Sequence, residues 1–179
     1  MHRRNSGQEH LLIVRFSAMG DVLMSLFAVS ALRKTYPDLK LTIATKPRFA
    51  RFYAGIPDVE VLTLDSEGSL KSLFRLAGQA AASGVTAVAD IHNSLRSAIV
   101  RFCLSLRGVR CAVFRKNRRH RASIKGKGLN ITPFRHNVLK FCDVFARLGY
   151  PVPDPAQERR HLRIPEVFGS KSGRWIGYA

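Results

Sequence analysis

Short apolar runs alternate with amphipathic stretches along most of the chain. Leu11 to Phe16 is an apolar, β-rich run and reads as a first strand. Ser17-Ala18-Met19-Gly20 reads as a tight connection. From Asp21 to Tyr36 the spacing is helical: Val22, Leu26 and Val29 share one face, with Leu23 and Phe27 beside them. Pro37 ends that helix. Leu41 to Thr45, Val59 to Leu64, Val85 to Ile91 and Val109 to Phe114 read as four further strands. Pro47 to Tyr53, with proline in its first turn, Leu70 to Ala82, closed by Gly84, and Leu95 to Leu106 read as the intervening helices.

Strands that alternate with helices, and whose runs are almost continuously apolar, predict a parallel sheet covered on both faces. The expected fold class is therefore α/β, a Rossmann-like doubly wound parallel sheet. The segment 115–132 breaks the rhythm: it is basic, carries Gly126 and Gly128, and has no clear period. We expect it to be mobile until it meets an anionic ligand. Val138, Phe141, Cys142, Phe145 and Leu148 then fall at i, i+3, i+4, i+7 and i+10, an amphipathic helix that closes the domain.

The outer segments complete the division. Residues 1–10 are polar and are expected to form a disordered tail. Residues 11–150 form the domain. In 151–179, Pro151, Pro153 and Pro155 mark a linker, His161 to Ile164 a short strand, and Trp175 to Ala179 the start of another α/β unit.

Charge changes the picture. The chain of 179 residues has 30 Lys+Arg against 12 Asp+Glu, a net charge of +18. Such a surface attracts phosphates, nucleic acid, acidic lipid or anionic sugar. Between Asp90 and Asp143 there are 13 Lys or Arg and no acid, and Arg115 to Arg121 is the densest part. No stretch approaches the ~20 apolar residues of a membrane span. The run Leu11 to Val14, cut off by Arg15, is too short for a signal peptide. Cys103, Cys111 and Cys142 are odd in number, show no CxxC spacing and sit among apolar residues. They read as reduced core thiols of a cytosolic protein. A zinc site from two of them with His120 lacks the four close ligands that a structural zinc needs.

Ligands of open α/β sheets gather beyond the carboxyl ends of the strands. Those ends carry Ser17, Met19, Gly20 and Asp21 after strand one, and Lys46, Arg48 and Arg51 after strand two. His92, Asn93 and Arg96 follow strand four, and Arg115, Lys116, Arg118 and Arg119 follow strand five. One edge thus gathers a single carboxylate among many cations, which suits an anionic ligand. Asp21 has two readings. It could cap free helix N–H groups, or it could be a general base presented at the ligand edge.

Familiar cofactor motifs are missing. The first turn has one glycine rather than GxGxxG, and Lys46 stands where a dinucleotide enzyme wants an acid for the ribose. Gly169-Ser170-Lys171-Ser172-Gly173 has the wrong spacing for a phosphate loop, and neither a DxD pair nor a GxSxG elbow occurs. No metal site is expected.

The run Leu12-Ile13-Val14-Arg15-Phe16-Ser17-Ala18-Met19-Gly20-Asp21-Val22, followed by a helix through Ala31-Leu32-Arg33, resembles the N-terminal signature of the lipopolysaccharide heptosyltransferases, glycosyltransferase family nine. Asp90-Ile91-His92-Asn93-Ser94-Leu95-Arg96-Ser97 resembles that family's strand-four motif, and His136-Asn137-Val138 also fits. The resemblance covers residues 11–150. Phe27 stands where the family usually has a proline.

The resemblance implies the N-terminal half of a GT-B glycosyltransferase, the half that binds an acidic core-sugar acceptor. It implies inverting, metal-independent transfer with Asp21 as the catalytic residue. It further implies ADP-heptose as donor substrate, bound mainly by a C-terminal half, and no cofactor. Residues 151–179 would then be the linker and first strand of that nucleotide-sugar-binding domain, and the fragment alone would be inactive. An anionic, lipid-anchored acceptor implies a cytoplasmic location with peripheral association at the inner membrane. The rival classes are a basic nucleic-acid-binding module, a non-sugar Rossmann-like enzyme and a membrane-surface interaction protein. The basic run lacks interleaved aromatics, so nucleic acid is not the expected partner. The second rival lacks a phosphate loop.

Overall fold

A computed structural model describes residues 8–65, 69–115 and 137–153. It contains strands β1 (His10–Val14), β2 (Lys40–Thr45), β3 (Val59–Thr63), β4 (Ala87–Asp90) and β5 (Arg110–Val113). Among them run helices α1 (Met19–Thr35), α2 (Pro47–Tyr53), α3 (Leu70–Ala82), α4 (Leu95–Ser105) and α5 (Asn137–Arg147). The strands form one parallel sheet in the order β3-β2-β1-β4-β5. The α/β, doubly wound architecture is the one that the alternating pattern predicts.

Both faces of the sheet are buried, which explains the unbroken apolar runs. Leu11, Ile13, Leu41 and Ile43 face a core completed by α1, α2 and α5, including Val22, Leu32, Phe49, Phe141 and Phe145. Leu12, Val14, Ala44 and Val88 face the opposite core with Leu73 and Leu76 of α3 and Val100 and Leu104 of α4. Chain order reverses between β1 and β4, so the topological switch point lies between their carboxyl ends. The register is level there: Val14 pairs with both Ala44 and Asp90, and Asp90 pairs with Val113.

Local sequence chemistry sets the boundaries. Ser69 caps α3, its hydroxyl accepting from Ser72 N at 3.3 Å. Ser94 and Ser97 form a capping box at the start of α4. Gly84, at φ +79°, takes the left-handed conformation that ends α3.

Three sequence expectations need correction. The tail does not extend to residue 10: His10 opens β1 and is buried. Polarity misleads there because both ring nitrogens have partners, Nδ1 the Ser83 carbonyl at 3.0 Å and Nε2 the Thr42 hydroxyl at 2.7 Å. The connection after β1 is residues 15–18 rather than 17–20, since β1 ends at Val14 and Met19 and Gly20 are already helical. Cys103 and Cys111 are half-buried at the edge of the core; Cys142 is buried.

Within 151–153, Val152 packs against the core and the Pro151 carbonyl accepts from the Tyr36 hydroxyl at 2.9 Å. The expectations for 116–132, for His136 and for residues 154–179 lie outside the described residues.

Candidate active site at the carboxyl edge

The site begins with Arg15. It follows the last residue of β1, and its backbone N–H still donates to the Ala44 carbonyl at 2.9 Å. That ladder bond directs the side chain into the gap at the switch point, where it is almost wholly buried. One terminal nitrogen donates to the Ile91 carbonyl at 2.5 Å, tying the end of β1 to the loop after β4. The other donates to Asp21 Oδ2 in an ion pair. The guanidinium also lies over the Phe141 ring, 5.6 Å from its centroid. Burial pushes the Arg15 pKa down from its ordinary value, and the negative charge of Asp21 opposes that push. An arginine begins so high that it stays protonated.

Asp21 is the third residue of α1, in its first turn. Ala18 is the N-cap and makes no side-chain cap, so the Asp21 carboxylate is not spent as the N-cap. Its Oδ2 belongs to Arg15, and its Oδ1 lies 3.5 Å from Asn137 Nδ2 at the start of α5. The side chain keeps 35% of its surface exposed, against 4% for Arg15. The result is a carboxylate gripped from below by a buried cation and open toward solvent. Gly20, beside it, needs no special backbone conformation, and a Cβ built there meets nothing within 4 Å. Ser17 is half-buried, and Met19 and Gly20 are exposed at the same mouth.

The loop after β4 is built on Asp90, which is fully buried. Its Oδ1 accepts from the backbone N–H groups of His92 at 3.0 Å and Asn93 at 2.8 Å. Its Oδ2 is paired with Arg101 of α4. Asn93 has φ +50°, in the left-handed region that asparagine tolerates, and its amide donates to the Phe114 carbonyl at 2.7 Å. This loop holds His92 edge-on against Phe16, with ring centroids 5.7 Å apart. His92 therefore stands beside the end of β1, on the same sheet edge as Asp21.

The other expected site residues fall around this centre. Lys46 is the half-buried residue before α2; Arg48 and Arg51 are exposed on that helix. The Arg48 guanidinium lies 4.7 Å from the Phe49 ring centroid. These three follow β2, one strand from Asp21. Arg96, in the first turn of α4, and Arg115, after β5, are exposed. The sheet thus gathers Ser17, Met19, Gly20, Asp21, His92, Asn93 and Arg96 near the switch point and sets Lys46, Arg48 and Arg51 to one side. Lys116, Arg118 and Arg119 lie outside the described residues.

Sequence reasoning missed Arg15, Asp90 and Arg101 as site-building residues. The signal was present for two of them. Arg15 is a cation at the end of an apolar strand, and Asp90 a carboxylate at the end of another; neither position is stable without a partner. Arg101 gave no signal beyond its position on a helix. Among the described residues, no group of three His, Cys, Asp or Glu could hold a metal ion.

The chain matches no protein-family model and no curated sequence at a significant level. Its fold is similar to solved structures. One is a glycosyl transferase family 9 protein from Veillonella parvula, with TM-score 0.61 and 16% identity, covering 86% of this chain and 45% of that one. Another is the E. coli heptosyltransferase WaaC with ADP, with TM-score 0.57 and 23% identity, covering 81% of this chain and 49% of that one. The same heptosyltransferase with ADP-2-deoxy-2-fluoro heptose also matches, at TM-score 0.57. The chain spans about half the length of these proteins. In fold, it is a doubly wound parallel-sheet α/β domain of the kind found in GT-B glycosyltransferases.

Proposed function

We propose that this chain is the acceptor-binding half of an inverting, metal-independent glycosyltransferase similar to the lipopolysaccharide heptosyltransferases. The observation that carries the reading is the Asp21 carboxylate: partly open, anchored by buried Arg15, and set at the switch point of a glycosyltransferase-like fold. In the proposed reaction, an acceptor hydroxyl attacks the anomeric carbon of ADP-heptose. The new C–O bond forms as the bond to the ADP oxygen breaks, and Asp21 takes the hydroxyl proton. Arg15 is a positioning residue that fixes the carboxylate. The acceptor is an anionic, phosphorylated core sugar on a lipid anchor, met by Lys46, Arg48, Arg51 and Arg96, with Lys116, Arg118 and Arg119 proposed to join them. Ser17, Met19, Gly20 and His92 line the mouth, and Asn93 serves by shaping the loop. The donor is held mainly by a second half, so this chain by itself binds acceptor without transferring sugar. The proposed place of action is the cytoplasmic face of the inner membrane.

Calorimetry on the 179-residue chain tests this directly. It should bind a phosphorylated core oligosaccharide and show no specific affinity for ADP. Tight ADP binding with no acceptor binding would overturn the assignment of roles.

A further inference from the structure

Helices α3 and α4 lie on the same face of the sheet and pack against one another. Their inward sides bury Leu73, Leu76, Val100 and Leu104. Their outward sides carry Leu70, Phe74, Leu95, Phe102 and Leu106, each more than half exposed. On α4 and its C-cap, Leu95, Phe102 and Leu106 recur at i, i+7 and i+11, a single stripe opposite buried Ser97, Val100 and Leu104. On α3, Leu70 and Phe74 are one turn apart.

Cations predominate around the stripe, although Asp65 and Glu67 precede α3. From Ser69 to Val109 the only acid is Asp90, which is fully buried, whereas the stretch contains Lys71, Arg75, Arg96, Arg101 and Arg107. Arg75 pairs with Asp65 at 2.5 Å and Arg101 with Asp90. Lys71, Arg96 and Arg107 form no ion pair among the described residues. A solvated helix face ordinarily mixes acids with bases and keeps large apolar groups inside. Here apolar tips and unbalanced cations share one surface.

We propose that the outer face of α3 and α4 docks on an anionic membrane surface. The leucine and phenylalanine side chains would enter the boundary between headgroups and acyl chains, and Lys71 and Arg107 would meet lipid phosphates. Charge complementarity selects this occupant over a second copy of the chain, because two copies joined through this face would oppose equal cationic rims. Both helices begin at the carboxyl edge of the sheet, α3 after β3 and α4 after β4. A docked bilayer would therefore adjoin the mouth that holds Asp21. The docking argument stands without the glycosyltransferase reading, because it uses neither Asp21 nor any sugar.

The test is flotation of the 179-residue chain with phosphatidylcholine vesicles, with and without phosphatidylglycerol. The chain should float with the anionic vesicles and far less with neutral ones. Leu95→Ser with Phe102→Ser keeps every charge and should weaken binding at least about tenfold, with the melting temperature moved by no more than about 2 °C. Lys71→Gln and Arg107→Gln should each weaken it about fivefold. Serine variants that float like the parent would overturn the proposal, since binding would then run through cations elsewhere. Absence of flotation at moderate salt would overturn it too. So would self-association that the serine variants abolish without any vesicle binding.

Discussion

Arg15 and Asp21 form an ion pair of unequal burial: the guanidinium is enclosed at the switch point, and the carboxylate is about one-third exposed. The inequality gives the pair a direction. Arg15 is held by the Ile91 carbonyl and the Phe141 ring, so it cannot follow the carboxylate outward. Asp21 is thereby pinned at one oxygen, with its other oxygen near Asn137. A group that must meet a substrate hydroxyl in a fixed geometry gains from such an anchor.

Replacing Arg15 should show the anchor's worth. Arg15→Ala removes a buried cation and opens a cavity beside Phe141. Full burial of both partners would cost about 3–5 kcal/mol; partial exposure of Asp21 brings the expected loss to about 2–3 kcal/mol. Arg15→Lys keeps the charge but loses the two-pronged geometry, and should recover only part of it. Urea unfolding of the three proteins checks this. An Arg15→Ala variant as stable as the parent would show that the pair contributes nothing to the fold.

Gly20→Ala separates packing from binding. The position is helical and a Cβ meets nothing within 4 Å, so the fold should be unchanged or steadier by up to about 1 kcal/mol. The added methyl stands at the mouth beside Asp21. Acceptor affinity should fall although the melting temperature does not. Unchanged affinity would move the acceptor away from the first turn of α1.

Asn93 is expected to act through the backbone. Asn93→Ala loses the 2.7 Å bond to the Phe114 carbonyl and puts a Cβ residue with no local hydrogen bond at φ +50°. The combined loss should be about 1–3 kcal/mol. Asn93→Gly loses the same bond without the conformational cost and should be the milder change. Thermal melts that rank glycine below alanine would contradict this.

The fold was legible because both sheet faces are buried: runs such as Leu11 to Val14 had to be apolar on every residue, and Leu41 to Ala44 on all but Thr42. Helix α1 was harder. It packs against α2, α5 and the sheet, so small residues such as Ser25, Ala28 and Ala31 are buried around it, while Leu23 is exposed. A simple apolar stripe does not describe such a helix. The edge location of Asp21 and His92 followed from the order of strands alone. The pairing of Arg15 with Asp21, and of Asp90 with Arg101, did not. Each joins residues whose meeting depends on how a loop folds back, which local periodicity does not encode. His10 was misread for a related reason, because its partners Thr42 and Ser83 are distant in sequence.

His10 gives a pH dependence. Burial lowers its pKa below the ordinary 6.5, so the folded state resists a proton that the unfolded state accepts. The stabilisation is complete above the unfolded value and is lost as pH falls through 6.5 toward the lower folded value. The urea midpoint should therefore drop between about pH 7.5 and about pH 5.5, and His10→Gln should flatten that slope. Glu60, whose pKa is lowered chiefly by its bond to Lys40, acts in a separate window below 4.5. A parent midpoint that rises on acidification through this range would contradict the assignment.

The most direct test of the proposed function is Asp21→Asn in a protein that joins this chain to a nucleotide-sugar-binding half. Asparagine has the size of aspartate and can still accept from Arg15, so the fold should survive with a small loss of stability. It cannot take the hydroxyl proton. Loss of a general base costs about 10²–10⁴ in rate. We expect kcat to fall by that factor, while acceptor affinity, set by the surrounding cations, changes little. A near-normal kcat would contradict the account and leave Asp21 as the structural partner of Arg15.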